Sequence, residues 1–268
     1  MPAFGGNVSL DLGSASSFAL LGHTISDTGV SVVLGNVGAT GTITGFPPGT
    51  APGFTIFTAP NAPGTIVGHA YSDFETAYTT AYALANTQSV LNGLGTTQTF
   101  TGNNVYTIYN NVPDGTISTT SGTVLTFDAQ GNPNEVFVIQ IDEAFTVNGL
   151  LTFDLINQAQ ANNIFWIVKD AATISVSSNP PQTFDGSILA GTSFTMSAAG
   201  GGSGVLAGTI NGCVFAITDN TLAGQTDVNG CVGGGMPGGT IPEPGSSGLV
   251  SLGCLLGISV WRKLRVSL

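Results

Sequence analysis

Residues 136–168, VFVIQIDEAFTVNGLLTFDLINQAQANNIFWIV, decide how the chain folds. Three runs rich in Val, Ile, Phe and Leu, at 136–141, 150–156 and 164–168, are divided by Asn, Gly, Gln and Ala, which reads as short strands separated by turns. Each run is too short for a helix. Each interval is too short for the crossover helix that joins parallel strands of an open sheet. A coil that stacks on its neighbour fits this spacing.

Working outward, similar runs recur at 105–109, 123–127, 172–176, 187–189, 194–197, 205–210 and 213–218, irregular in length, as if coils were kept while corners varied. SSNPPQ at 177–182 is the plainest corner. Upstream, LGSASSFALL at 12–21 and the segment 24–36 alternate small, hydroxylic and apolar residues suited to narrow coils. In GFPPG, 45–49, two prolines bar a ladder strand and the flanking glycines permit a sharp bend. The spacing predicts one helix over about 69–86, with Tyr71, Phe74, Tyr78, Tyr82 and Ala85 on one face and Asp73 and Glu75 near its N-terminal end. That aromatic stripe reads as a packing face, with a binding platform as the alternative. A Greek-key sandwich competes with the stacked coil, because short strands and turn signals suit both.

Only 7% of residues are charged, against roughly a quarter in typical domains, so Thr, Ser, Asn, Gln and Gly must supply most of the wet surface. Arg262, Lys263 and Arg265 cluster at the C-terminus, which leaves Lys169 alone against the fourteen acids that precede Glu243. A body this anionic excludes nucleic acid as a partner, since counterion release needs clustered Lys and Arg. Cys213 and Cys231 either pair in an exported chain or stay as two free thiols. No metal centre or other cofactor is expected: His23 and His69 are far apart in sequence, and no cysteine spacing suits zinc. GGGSG at 200–204 lacks the context of a dinucleotide loop and reads as a turn.

Taken in order, LGSASSFALL, GFPPG, the Ala- and Tyr-rich helix, LTFDAQGNPNEVFVIQI, INQAQANNIFWIV and GSILAGTSFTMS resemble the ice-binding protein family across residues 12–222. The resemblance implies a mainly β architecture: a right-handed discontinuous β-solenoid of triangular cross-section with one long helix alongside, and in many members a flat face that adsorbs to ice. Residues 1–11 are then an extension. Residues 1–9 have neither a basic nor an apolar region of the kind a secretory signal needs, so the expected signal lies upstream or was removed.

Residues 241–268, IPEPGSSGLVSLGCLLGISVWRKLRVSL, look like a PEP-CTERM sorting tail, with Pro242, Glu243 and Pro244, a hydrophobic segment and the terminal basic cluster in order. That likeness implies transient anchoring of a transmembrane helix in the inner membrane, cleavage by an exosortase-type enzyme, and delivery to the cell surface or extracellular matrix. The span of about 20 residues that a bilayer needs must draw on the flanks. Residues 223–240, Gly-rich, would be the linker.

An ice face needs a flat, rigid array that orders water. Residues two apart on a strand point the same way about 6.6 Å apart, stacked strands lie about 4.8 Å apart, and Thr presents one methyl and one hydroxyl on a stiff stem. The same-face pairs Thr24 with Ser26, Thr42 with Thr44, Thr173 with Ser175 and Thr195 with Ser197, extended by Thr146 and Thr218, are the candidate ice-contacting residues. Against the family pattern, the Thr spacing at 40–44 is only partly kept, and Gly212 and Ala216 stand where hydroxylic residues are expected, which leaves weak ice activity open.

Catalysis is not expected. Asp142 and Glu143 are adjacent and would face opposite sides of a strand; Asp154, Asp170 and Asp185 could pair only across coils, with Lys169 alone to neutralise an acidic substrate. The expectation is a non-enzymatic, monomeric, secreted antifreeze protein whose partner is the ice crystal surface and which slows growth or recrystallisation. A structural or adhesive protein of the envelope or exopolysaccharide matrix is the alternative.

Overall fold

The computed structural model describes residues 10–57, 63–88, 91–110, 115–176, 180–198 and 205–231. The 136–168 stretch forms four strands and not three: Phe137–Ile141, Ala144–Asn148, Leu151–Ile156 and Ile164–Val168. The added one, AFTVN, is set off from its neighbours only by Asp142-Glu143 and Gly149-Leu150, so its short alternation does not stand apart in sequence. The first three strands are the sides of one coil. The fourth begins the next coil and lies over the first, with Ile164 opposite Phe137 and Val168 opposite Ile141.

Every ladder among the described residues is parallel. This removes the Greek-key sandwich, which is built from antiparallel strands. The result is a three-sided β-solenoid. One side runs through Asn104–Tyr109, Phe137–Ile141, Ile164–Val168 and Ser187–Ala190; the second through Thr116–Thr119, Ala144–Asn148, Ala172–Val176 and Phe194–Ala198. Val214–Ala223 then serves both sides in a single strand. Its start pairs with Ile188, Leu189 and Ala190, and its end pairs with Phe194, Thr195, Met196 and Ser197.

The coil order departs from chain order. Phe18–Asp27 stacks on Val214–Ala223, the last of the long strands, and carries Asn36–Thr44 and Ile56–Phe57 beyond it. The helix then runs back along the stack, and winding restarts from the far end with Leu91–Asn92 and Asn104–Tyr109. The N-terminal coils are therefore closed onto the solenoid by the final turns of the chain. At the bend after Thr44, Gly45 takes φ +83°, and a Cβ there would sit 1.7 Å from the Asp27 carbonyl oxygen, so no other residue fits.

The helix is Ile66–Tyr82, starting and ending before the expected 69–86. Thr65 caps its start, its hydroxyl accepting from Gly68 N at 3.1 Å. Its end is set from outside: buried Gln140 donates to the carbonyls of Ala81 at 2.9 Å, Tyr82 at 3.3 Å and Leu84 at 2.9 Å, using acceptors that a further turn would need. Val67, Ala70, Phe74, Ala77 and Ala81 bury against Val138, Phe165, Ile167, Leu189 and Phe215. The Tyr71 and Tyr78 hydroxyls donate to the carbonyls of Ile217 and Val168, and Tyr82 donates to Asp142. The aromatic stripe is thus a packing face. Burial, with Glu75 beside Tyr71 and Asp170 beside Tyr78, pushes both hydroxyls up to about 12.

Inside the solenoid, Trp166 stacks on Phe145 at 5.6 Å and meets Phe127, Phe153 and Phe184 edge-on or tilted. Its indole donates to the Asp185 carbonyl at 3.0 Å, so the ring is buried without an orphan N–H. Each such aromatic contributes about 1.5–3 kcal/mol of burial free energy. Gln225–Val228 pairs with Leu206–Asn211, so a ladder strand lies beyond residue 222, where the sequence reading starts its linker. A disulfide joins Cys213 to Cys231. The sorting motif, the hydrophobic segment and the basic cluster lie outside the described residues. Among those described, no helix is long and apolar enough to cross a membrane.

Candidate functional site

On the second side the strands alternate buried apolar residues with outward polar ones, so the parallel register alone sets what faces solvent. Ser118 pairs with Thr146, Thr146 with Thr173, Thr173 with Thr195, Thr195 with Thr221, Thr221 with Ser26 and Ser26 with Thr44. Seven consecutive rungs thus carry a hydroxyl in one straight column, about 29 Å long at the standard strand spacing. The hydroxyls of Thr146, Thr173, Thr195 and Thr221 have no hydrogen-bond partner among the described residues and are open to water. Beneath them Phe145, Val147, Ile174, Phe194, Met196 and Leu222 are buried and hold the stems in place.

Two shorter columns flank this one. On one side Asn148, Ser175, Ser197 and Ala223 are in register, with the Ser175 and Ser197 hydroxyls 3.3 Å apart. On the other, Asp219, Thr24 and Thr42 are in register, and the Thr24 hydroxyl donates to the Asp219 carboxylate. Among the described residues, Asp219 is the one charged side chain pointing outward from this face.

Of the residues expected from sequence, Ser26, Thr44, Thr146, Thr173 and Thr195 come together in the long column; Ser175, Ser197, Thr24 and Thr42 flank it. Thr218 does not join. It sits at the corner, where its hydroxyl donates to the Thr192 carbonyl at 2.9 Å. Hydroxylic residues were expected where Gly212 and Ala216 stand, but Ala216 is buried in the solenoid interior, in register with Gly22 and Ala190, and a Cβ on Gly212 would strike the Gly186 carbonyl oxygen at 2.4 Å. The rung that face needs from the last coil is Thr221. Sequence reading missed Thr221 because it has no hydroxyl two residues away on its strand, and Ser118 because Thr116–Thr119 was not read as a strand, although Thr116 and Ser118 share its outward face. Only the register against Thr195 and Thr146 reveals them.

The third side also bears hydroxyls but is built differently. Its strands fall into two sheets, Gln98–Thr101, Thr123–Asp128 and Leu151–Ile156 in one, Gln182–Asp185, Leu206–Asn211 and Gln225–Val228 in the other. Thr99 and Thr126 lead to Asp154, and Thr183 and Thr209 lead to Asp227, so a carboxylate interrupts each column. Across the break, buried Gln182 stands in for a missing ladder rung: its side chain accepts from Leu151 N at 2.9 Å and donates to Leu151 O at 2.7 Å.

The carboxylates considered for catalysis fall into two groups: Asp142, Glu143 and Asp170 lie around Lys169, whereas Asp154 and Asp185 stand on strands of the third side. Asp142 pairs with Lys169 at 3.5 Å and holds that ammonium above its ordinary value. Asp154 is opposite Thr126. Asp185 is opposite Asn211, whose amide donates to it at 2.7 Å, while burial raises its carboxyl. Among the described residues no three His, Cys, Asp or Glu gather as a metal site.

Residues 20–228 match the family described as Ice-binding-like. An ice-binding protein of Nostoc sp. (strain HG1) is 32% identical over 257 residues, 90% of this chain and 84% of that protein. Among solved structures, the ice-binding protein of the Antarctic ascomycete Antarctomyces psychrotrophicus is 30% identical with a TM-score of 0.67, over 82% of this chain and 97% of the other. One from an Antarctic biological consortium is 29% identical with a TM-score of 0.66, over 82% and 90%.

Proposed function

The chain belongs to the ice-binding-like family, and from its second side we propose that it adsorbs to ice through the column Ser118, Thr146, Thr173, Thr195, Thr221, Ser26 and Thr44. The observation that carries this is the unbroken register of seven hydroxyls on one ladder. Stiff Thr stems held over a packed interior lose little rotamer freedom when a surface forms against them. Methyl and hydroxyl at fixed spacing order the adjoining water, and adsorbed protein then blocks growth and recrystallisation. The action is binding without chemistry, by a single chain.

The chain acts outside the cytoplasm. The Cys213–Cys231 disulfide suits an oxidising compartment. The Pro242-Glu243-Pro244 motif, the apolar segment and the basic end in the sequence support sorting by an exosortase-type enzyme after a stay in the inner membrane.

Ice-affinity partitioning tests the reading. The full chain is expected to concentrate in a slowly grown ice fraction, and Thr195→Tyr to lose that enrichment while keeping its circular dichroism spectrum, because a bulky ring on the middle rung breaks the flat contact. Equal wild-type concentrations in ice and liquid would overturn it. Retention on isolated matrix polymer without any effect on crystal shape would favour the adhesive role instead.

A further inference from the structure

The hydroxyl face is free of charge except at one edge. Asp219 lies at an outward, exposed position of Val214–Ala223, in register with Thr24 and through it with Thr42. Its carboxylate accepts the Thr24 hydroxyl, so that hydroxyl points along the protein surface and is already engaged. Two adjacent rungs of the edge column are thereby withdrawn from any water lattice in front of them.

Charge on such a face has a definite cost. A carboxylate holds its hydration shell by strong, acceptor-only hydrogen bonds, and removing or reordering that water is expensive unless a donor replaces it. Ice offers no cation to do so. Lys169, the one Lys or Arg among the described residues, pairs with Asp142 and not with Asp219.

We infer that Asp219 is a specificity-determining residue of the ice face, keeping its edge hydrated and confining productive contact to the long column and the Ser175–Ser197 side. This rests on the ice-adsorption reading and sharpens it. The face is thus narrower than its threonine content suggests, and Thr24 belongs to the protein's own edge and not to the ice contact.

The test uses the full chain and ice-affinity partitioning, with thermal unfolding as the control for fold. Asp219→Asn keeps an acceptor for Thr24 and removes the charge; it is expected to raise the ice-to-liquid ratio by about twofold or more. Thr24→Val is expected to leave the ratio unchanged. An unchanged or lower ratio for Asp219→Asn, with Thr195→Tyr still abolishing enrichment, overturns the role of Asp219 alone. A loss of enrichment in Thr24→Val equal to that in Thr195→Tyr also overturns it, since Thr24 would then be in the contact. If Thr195→Tyr itself changes nothing, the underlying reading falls and the inference with it.

Discussion

The second and third sides of this solenoid carry similar side chains on the same coils, yet only one forms a continuous surface. Both expose hydroxyls at the matching position of most rungs. On the second side the ladder runs unbroken from Thr116–Thr119 to Asn36–Thr44, and hydroxyls occupy all seven places. On the third, the ladder divides between Leu151–Ile156 and Gln182–Asp185, and Asp154 and Asp227 interrupt the threonines. On the proposed reading, a site for an extended solid depends on register and on the absence of charge more than on the number of hydroxyls.

The sharpest way to break this contrast is to place the same bulk on each side. Thr173→Tyr is expected to lower the ice-to-liquid ratio about tenfold or more, whereas Thr126→Tyr is expected to leave it unchanged. Equal losses would show that the two sides are equivalent.

The seam of the third side can be tested by stability. Gln182→Leu leaves the buried N–H and carbonyl of Leu151 without partners, and each orphan costs about 1–3 kcal/mol. A loss of about 2–4 kcal/mol in denaturant unfolding is expected, with ice enrichment retained below the melting point.

Alkali probes the remaining side. Tyr71 and Tyr78 have folded values near 12 against an ordinary value of 10.0, so the neutral phenol is favoured in the folded state. The stability this gives is present in full below pH 10 and is lost as pH rises towards 12. Tyrosinate absorbance and circular dichroism are expected to change together over that window, and Tyr71→Phe should soften the pH dependence.

The smallest effect is expected at single rungs. Thr221→Val keeps the shape and removes one hydroxyl, and a twofold drop in ice enrichment, roughly 0.5 kcal/mol, is expected; Ser118→Ala, at the end of the column, should lose less.

Much of the architecture was legible before any coordinates. Short apolar runs at 137–141 and 164–168 marked strands, and the Tyr and Phe spacing marked the helix. The Ala144–Asn148 strand was hidden because its outward half is polar and its corners are two residues long. The helix start is set by Thr65, a cap adjacent to it that the aromatic spacing alone does not mark; its end is set by Gln140, and nothing local to the helix signals a cap from a distant strand. Four of the long-column residues, Ser26, Thr44, Thr173 and Thr195, were found by looking for same-face pairs, and Thr146 as an extension of their column. Thr221 and Ser118 were not, since which coil lies over which is a property of stacking. Asp219 gave no sign at all, because its place beside Thr24 depends on opposite ends of the chain meeting.

That meeting governs when the surface can exist. Thr221 and Ser26 are neighbouring rungs, yet one is synthesised near the start of the described chain and the other near its finish. A polypeptide emerging from the ribosome or through a membrane pore can wind its central coils early. The hydroxyl column stays divided, its N-terminal rungs detached from the rest, until the closing strand has cleared the exit.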